Sequence, residues 1–446
     1  MKGHSHTQWR WLVLLAAVIL VGYGLTLRIF YPGVMTYDAK YVHADIATGF
    51  LGDWQSPVMT VLWGAIEPLA PGSASMFLLT ATLYWLGFAI LALSIVRRSF
   101  ATALAVSLTA FAPPAFVFVG IIWRDVLFAT LWLLAAALAY SVSERRDRWR
   151  YMAQALAIAL LVLGLLLRLN ALFAAPILAA YLVWPARFDI KRAALVYVPA
   201  VIALYALVPT VYYGVLGAKH QNALHAILVF DLGGITYFAK QNQFPVTWTA
   251  EQDKQLSDDC YRPEAWDYYW RIEPCSFVMT RLEADKIFGS PVLVDAWRRA
   301  VLAHPLAYLR HRIAVMGQFL FGENLTMWTI DIEHPDQTVF ADNPWFVALT
   351  VVNDVLKPTP LFRAATWLLV CLASCALAMR RRDTPVGAFV IAVTGSAVVY
   401  VATYFVFGVA ADFRYAYWAV LAGLTGAVLV AVPAIAIGPA ELQSAH

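Results

Sequence analysis

Long apolar stretches constrain this chain more than any other feature of its sequence. About ten segments of roughly 20 residues are nearly free of charge, which is the length a helix needs to cross the hydrocarbon core of a bilayer. They are residues 11–30, 75–96, 101–122, 126–143, 151–167, 171–186, 194–215, 361–379, 385–408 and 416–437. We therefore predict an all-α polytopic membrane protein with about ten transmembrane helices.

The composition excludes several other classes of protein. Of the 446 residues, 61% are hydrophobic and only 13% are charged, whereas soluble domains are nearer half apolar and a quarter charged. An ordinary soluble enzyme, a disordered chain and a disulfide-dense secreted scaffold are all inconsistent with these values. The net charge of +4 is not a nucleic-acid footprint, because no Lys/Arg-rich stripe lies on a polar domain.

The short basic connections predict the orientation in the membrane. They precede the first predicted span or follow an even-numbered one, and the positive-inside rule therefore places both termini in the cytoplasm of an inner (plasma) membrane protein. No small-residue cleavage site follows the first apolar stretch, so we interpret it as an uncleaved anchor. The basic residues are Lys2, Arg10, Arg97, Arg98, Arg145, Arg146, Arg148, Arg150, Arg187, Lys191, Arg192 and Arg380 to Arg382.

The remaining connections are predicted to lie outside the cytoplasm, and they divide the chain into three parts. The parts are a transmembrane core over 1–215 with a first outer loop at 31–74, a modest extracytoplasmic domain over 216–360, and C-terminal transmembrane helices over 361–446. Cys260 and Cys275 fall on the oxidising side, which favours a disulfide. Residues 305–321 fit either an interfacial or a spanning helix, and both alternatives stay open.

Charged residues gather at the outer ends of the predicted spans. Charges bordering a span are costly and are functional-site hypotheses by default. Each also has a simpler interpretation, as an interfacial ion pair, a snorkelling side chain, an aromatic-belt anchor or a helix cap. The charged residues, with their polar neighbours, are Tyr37, Asp38 and Asp53 in the first outer loop, Arg124 and Asp125, Arg168 and Asn170, and Asp412, Arg414 and Tyr415.

This set of residue types suits chemistry on a lipid-linked phosphate. Arginine binds phosphate in a bidentate fork, and we predict Arg124, Arg168 and Arg414 as ligands of the phosphate of a polyprenyl-phosphate sugar donor. A carboxylate above them can act as general base on an acceptor hydroxyl, and Asp38 and Asp53 are the catalytic candidates. Three further residues are predicted to support this site, namely Asp125, Tyr415 and Tyr37.

The order of short motifs resembles that of the GT-C integral membrane glycosyltransferases, the class of protein O-mannosyltransferases and lipid A aminoarabinose transferases. The resemblance covers most of the chain. The motifs are Tyr37-Asp38, Gly52-Asp53-Trp54-Gln55-Ser56-Pro57, Trp123-Arg124-Asp125, Leu167-Arg168-Leu169-Asn170, Ala303-His304-Pro305-Leu306-Ala307-Tyr308-Leu309 with Arg312, and Asp412-Phe413-Arg414-Tyr415. Gln55-Ser56-Pro57 departs from the His-Pro-Pro run of many relatives.

The resemblance implies a polyprenyl-phosphate-linked sugar donor, inverting transfer and an active site on the periplasmic side. It maps the catalytic acidic residue onto Asp38, with Asp53 second. Because the outer domain is modest, we expect a lipid-linked or cell-envelope glycan as acceptor rather than a large protein. No cofactor is predicted and the sequence offers no set of metal ligands, although members of the family differ on divalent metals. A flippase for a lipid-linked sugar and a non-catalytic assembly subunit remain alternatives.

Overall fold

The computed structural model describes residues 2–332, 334 and 337–431. These residues contain nineteen α-helices and four isolated β-bridges, with no strand. The helices are α1 Lys2–Phe30, α2 Tyr37–Thr48, α3 Pro57–Ile66, α4 Ser73–Ile95, α5 Phe100–Thr109, α6 Pro113–Phe116, α7 Arg124–Ser141, α8 Arg148–Leu167, α9 Ala175–Val183, α10 Ile190–Pro209, α11 His225–Ala239, α12 Ala250–Asp258, α13 Phe277–Ala284, α14 Pro291–Ala303, α15 Pro305–Phe321, α16 Pro344–Leu356, α17 Ala364–Ala378, α18 Pro385–Phe407 and α19 Tyr417–Ala431.

Eight helical segments in the described part of the chain are long and apolar enough to cross a membrane. The predicted class, an all-α polytopic membrane protein, is confirmed. The segments are Trp9–Phe30, Ser73–Ile95, Arg124–Ser141, Arg148–Leu167, Ile190–Val215, Ala364–Arg381, Pro385–Phe407 and Phe413–Ala431.

Two of the predicted spans are not single long helices. Over 101–122 the structure has α5 and the short α6, because the Pro113-Pro114 pair lacks the backbone N–H groups that would continue α5. Over 171–186 a 3₁₀ turn, Leu169–Phe173, precedes the nine-residue α9. The last predicted span, 416–437, is helical up to Ala431, and its remainder lies outside the described residues.

The packing of the bundle brings distant parts of the sequence to one end. α7 is the most buried of the long helices and packs against α4, α8 and α19. Trp132 of α7 contacts Trp418 of α19 with ring centroids 5.5 Å apart, and Gly164 of α8 faces Trp132, where an added Cβ would lie 2.6 Å from the indole. Because α7 and α19 begin at the end where α8 and α18 finish, Arg124, Arg168 and Arg414 meet there.

The segment after α10 packs on that same end. Cys260 and Cys275 are joined by a disulfide. The backbone N–H of Trp266 donates to the Val409 carbonyl at 2.8 Å, and that of Ala411 donates to the Glu264 carbonyl at 2.7 Å. These two hydrogen bonds attach the segment to the connection between α18 and α19.

Candidate active site

The candidate site is assembled from the first loop and the ends of four helices. Val34 forms a parallel β-bridge with Ile121, just before α7 begins. Thr36 then caps α2, its hydroxyl accepting a hydrogen bond from the Ala39 N–H at 3.2 Å. The bridge and the cap hold Asp38, in the first turn of α2, beside Arg124 at the start of α7.

Asp38 is ion-paired with an arginine from the opposite end of the sequence. One of its oxygens lies 2.7 Å from an Arg414 nitrogen, and the other accepts a hydrogen bond from the Gln55 side chain at 3.2 Å. Burial acts to raise the pKa of Asp38, but Arg414, Arg124 and Arg168 together hold that pKa below its usual value. The Asp38 side chain is 41% exposed, so an ionised carboxylate faces the opening of the site.

Arg414 is held on several sides. Besides Asp38 it contacts Asp412 at 3.1 Å, donates to the Tyr415 hydroxyl at 3.2 Å, and lies over the Trp123 ring at 4.6 Å. Burial raises the pKa of Asp412. With two carboxylates, a hydroxyl and an indole around it, Arg414 has a fixed position.

Arg168 has its own carboxylate and shares the ring of Tyr415 with Arg414. Its Nε lies 2.8 Å from Asp125 Oδ1 and 3.4 Å from the Tyr400 hydroxyl. The guanidinium is 4.6 Å from the centroid of the Tyr415 ring. The predicted supporting residues Asp125 and Tyr415 therefore both contact predicted phosphate ligands.

Arg124 differs from the other two arginines because it has no ion pair or side-chain hydrogen bond to any residue that the structure describes. It is partly exposed and lies within electrostatic range of Asp125, Asp38 and Arg168. Arginine presents five N–H donors in a fixed fork. Arg124 thus brings an unoccupied cation to the opening of the site, where the other cations are already paired.

Asp53 lies in a different set of contacts. It accepts hydrogen bonds from the Tyr213 hydroxyl at 2.8 Å and the Gln221 N–H at 2.6 Å, and its carboxylate is 3.5 Å from His220. Among the described residues, no ion pair joins Asp53 to an arginine of the site. These contacts fasten the first loop to the chain that follows α10.

Tyr37 borders the site through an aromatic chain. Its ring meets the edge of Trp328 at 5.7 Å between centroids, and Trp328 meets Trp123 at 6.4 Å. Trp123 in turn lies under Arg414. Tyr37 is therefore connected to the arginines by ring contacts rather than by a hydrogen bond.

A second, fully buried polar cluster lies behind the site, in the segment that follows α10. Asp231 of α11 is 2.6 Å from Arg312 and 3.1 Å from His311, both on α15, and it accepts a hydrogen bond from the Trp297 indole at 2.7 Å. Arg312 also donates to the Gly408 carbonyl at 2.9 Å, where α18 ends. The cluster therefore fixes the start of the connection that carries Asp412 and Arg414.

Asp412, predicted among the charges at the outer ends of the spans, is paired with Arg414, but other site residues were not among the predicted candidates. Gln55 lies within the Asp53 motif, so proximity in sequence could have indicated it. Asp267 comes from the far-off segment after α10 and interacts electrostatically with Asp38 and Arg414. No local pattern marks Asp267, because only the hydrogen bonds at Glu264 and Trp266 bring it there.

Comparison with known proteins gives one structural likeness. No protein-family model matches the chain, and no curated protein matches it. Among solved structures, the chain is similar to the crystal structure of ArnT from Cupriavidus metallidurans in the apo state, with 13% identity, 94% of this chain and 76% of that chain covered, and a TM-score of 0.32.

Proposed function

We propose that this protein is an integral membrane glycosyltransferase of GT-C type, which moves a sugar from a polyprenyl-phosphate donor to a lipid-linked or cell-envelope glycan. One observation carries the proposal. Arg124, which forms no ion pair with any described residue, lies beside the partly exposed carboxylate of Asp38, whose position is fixed by Arg414 at 2.7 Å. Transfer from a phosphate ester requires a cation that can bind the phosphate and an oriented base that can take the proton of the acceptor.

Arg124 and Arg168 have different roles at the donor phosphate. Arg124 is free to bind the phosphate directly, because no described carboxylate pairs with it. Arg168, 2.8 Å from Asp125 and stacked near Tyr415, adds a second positive charge in a fixed place. A preorganised cation costs no reorganisation when negative charge develops on the leaving group.

Asp38 acts as the base in this proposal. The acceptor oxygen forms a bond to the anomeric carbon, and the bond from that carbon to the phosphate oxygen breaks. Its electron pair leaves with the polyprenyl phosphate, while Asp38 takes the proton of the acceptor hydroxyl. Attack on the side opposite to the phosphate inverts the anomeric centre. Arg414, already paired with Asp38, then orients the base rather than holding the phosphate.

The orientation in the membrane is part of the proposal. The basic residues cluster at the end of the bundle opposite to Asp38. Under the positive-inside rule, this basic end is the cytoplasmic end. The site then opens outside the cytoplasm, in the periplasm, and the donor lipid reaches it from the outer leaflet of the inner membrane.

The proposal is tested by release of polyprenyl phosphate, which any transfer produces whatever the sugar. Purified protein in proteoliposomes is given the mixed polyprenyl-phosphate sugars and the membrane glycans of the producing cells. We expect Asp38→Asn to lower the release at least about 100-fold, because a general base typically contributes 10²–10⁴-fold. The matched control is Asp45→Asn, which removes a carboxylate from the same helix, α2, but away from the arginines.

The outcomes separate the alternatives. Equal release by wild type and Asp38→Asn contradicts the base assignment. Movement of the polyprenyl-phosphate sugars between the leaflets, with no release of polyprenyl phosphate, supports the flippase instead. Loss in Asp38→Asn with normal release by Asp45→Asn supports the enzyme.

A further inference from the structure

A basic cleft lies at the end of the bundle away from the candidate active site. α8 starts there and runs 20 residues to Leu167, a rise of about 30 Å. Two adjoining cavities of about 140 and 230 Å³ share Arg187 and Asp189 in their lining. We define the basic cleft by the cations that line them, which are Arg150, Arg187, Lys191, Arg192 and Arg382.

The cations of the basic cleft are only partly neutralised. Arg192 lies 3.3 Å from Asp189, and Arg382 lies 3.9 Å from Asp383. Arg187 and Lys191 form no ion pair with any residue that the structure describes, and the Arg150 guanidinium donates to the neutral oxygens of the Gln154 side chain and the Arg145 backbone, both at 3.4 Å. The lining therefore presents more positive charge than its own carboxylates balance, as an anion site does.

The backbone holds the basic cleft together across two connections. The Phe188 N–H donates to the Arg382 carbonyl at 2.7 Å, which ties the connection between α9 and α10 to the one between α17 and α18. Asp189 caps α10 by accepting from the Lys191 and Arg192 N–H groups at 3.0 and 3.2 Å. The backbone that carries the cations thus has a fixed position.

An apolar surface continues from the basic cleft along α10. No residue of α10 is buried in the protein, and Leu195 and Val198 are 77% and 61% exposed. At the cleft itself, Trp184 lies under the Arg192 guanidinium at 5.8 Å; tryptophan at this level is typical of a membrane interface. Cations at the start of an exposed apolar helix match a phospholipid, which has a charged headgroup and apolar chains, better than they match a free anion.

We propose that the basic cleft binds the phosphate headgroup of an anionic phospholipid, whose acyl chains lie along α10. Basic pockets between transmembrane helices on the cytoplasmic side bind lipids of this class. The ligand lies in the leaflet opposite to the candidate active site, so this binding is independent of the proposed transfer reaction.

The test is native mass spectrometry of the full-length protein in mild detergent, titrated with phosphatidylglycerol, phosphatidylcholine or inorganic phosphate. We expect wild type to bind phosphatidylglycerol in preference to phosphatidylcholine. Arg187→Gln combined with Arg382→Gln is expected to weaken phosphatidylglycerol binding about 25-fold, since each basic residue near an anionic headgroup contributes roughly fivefold. The control combines Arg97→Gln with Arg146→Gln, which removes the same charge from exposed positions at the same end but outside the cleft.

Binding that falls in the cleft variant and stays within about twofold in the control supports the proposal. Equal weakening in both variants overturns it, because surface charge alone would then explain the preference. Equal binding of phosphatidylglycerol and phosphatidylcholine also overturns it. Displacement of the lipid by millimolar inorganic phosphate would assign the cleft to a free anion instead.

Discussion

At the scale of single residues, ion pairing determines which arginine is available to bind an external anion. Asp38 and Arg414 lie 2.7 Å apart, and Arg168 and Asp125 lie 2.8 Å apart, so each of these arginines has a carboxylate partner within the protein. Arg124 has none among the described residues. A charge without an internal partner at a partly open site is the one best able to bind an external anion.

Replacement of Arg124 by glutamine is expected to lower the release of polyprenyl phosphate on the order of 10²–10³-fold, the cost of losing one preorganised transition-state donor. The measurement is turnover in proteoliposomes, with Arg97→Gln at the opposite end of the bundle as control. Turnover within a few-fold of wild type in the Arg124 variant would show that another cation holds the phosphate.

The dependence of release on pH tests the pair of Asp38 and Arg414. In the proposed mechanism Asp38 can act as a base only when it is deprotonated, and Arg414 makes the largest of the charge contributions that lower the pKa of Asp38. In Arg414→Gln the effect of burial, which raises that pKa, is less opposed, so the acid limb of the rate profile should move to higher pH. Control profiles come from Arg97→Gln. An acid limb that stays in place would mean that Asp38 is not the titrating base.

At the scale of elements, the buried face of α15 combines charged residues with the apolar residues Ala307, Val315 and Phe319. Its Leu306, Leu309 and Ile313 form an apolar side, but these residues are 71%, 44% and 56% exposed. His311 and Arg312 instead point inwards to Asp231. The helix over 305–321 was predicted correctly, but the burial of His311 and Arg312 could not be, because it depends on a carboxylate some 80 positions earlier in the sequence.

The buried pair of Asp231 and Arg312 provides a test of this element. Arg312→Met removes one partner and leaves an uncompensated charge, which typically costs about 3–5 kcal/mol. The expected result is a lower temperature of thermal denaturation in detergent, measured beside Arg310→Met on the exposed side of the same helix. Equal denaturation temperatures for the two variants would contradict the role of the pair.

At the scale of the whole molecule, hydropathy and charge predicted the fold class, an all-α polytopic membrane protein. The spans at 101–122 and 171–186 were wrong as single helices, because a sum of hydropathy does not register the Pro113-Pro114 break or the 3₁₀ turn before α9. The partners within the site could not be predicted, since Asp38 and Arg414 are 376 positions apart and meet only through the packing of α7, α8, α18 and α19.

The measurement that tests the central claim most directly is native mass spectrometry of the protein released from its membrane in mild detergent. We expect a co-purified species with the mass of a polyprenyl phosphate, weakened in Arg124→Gln and Arg168→Ala and unchanged in the variant that combines Arg187→Gln with Arg382→Gln. Absence of that species, even after polyprenyl phosphate is added back, would contradict a lipid-phosphate site among the arginines at the Asp38 end of the bundle.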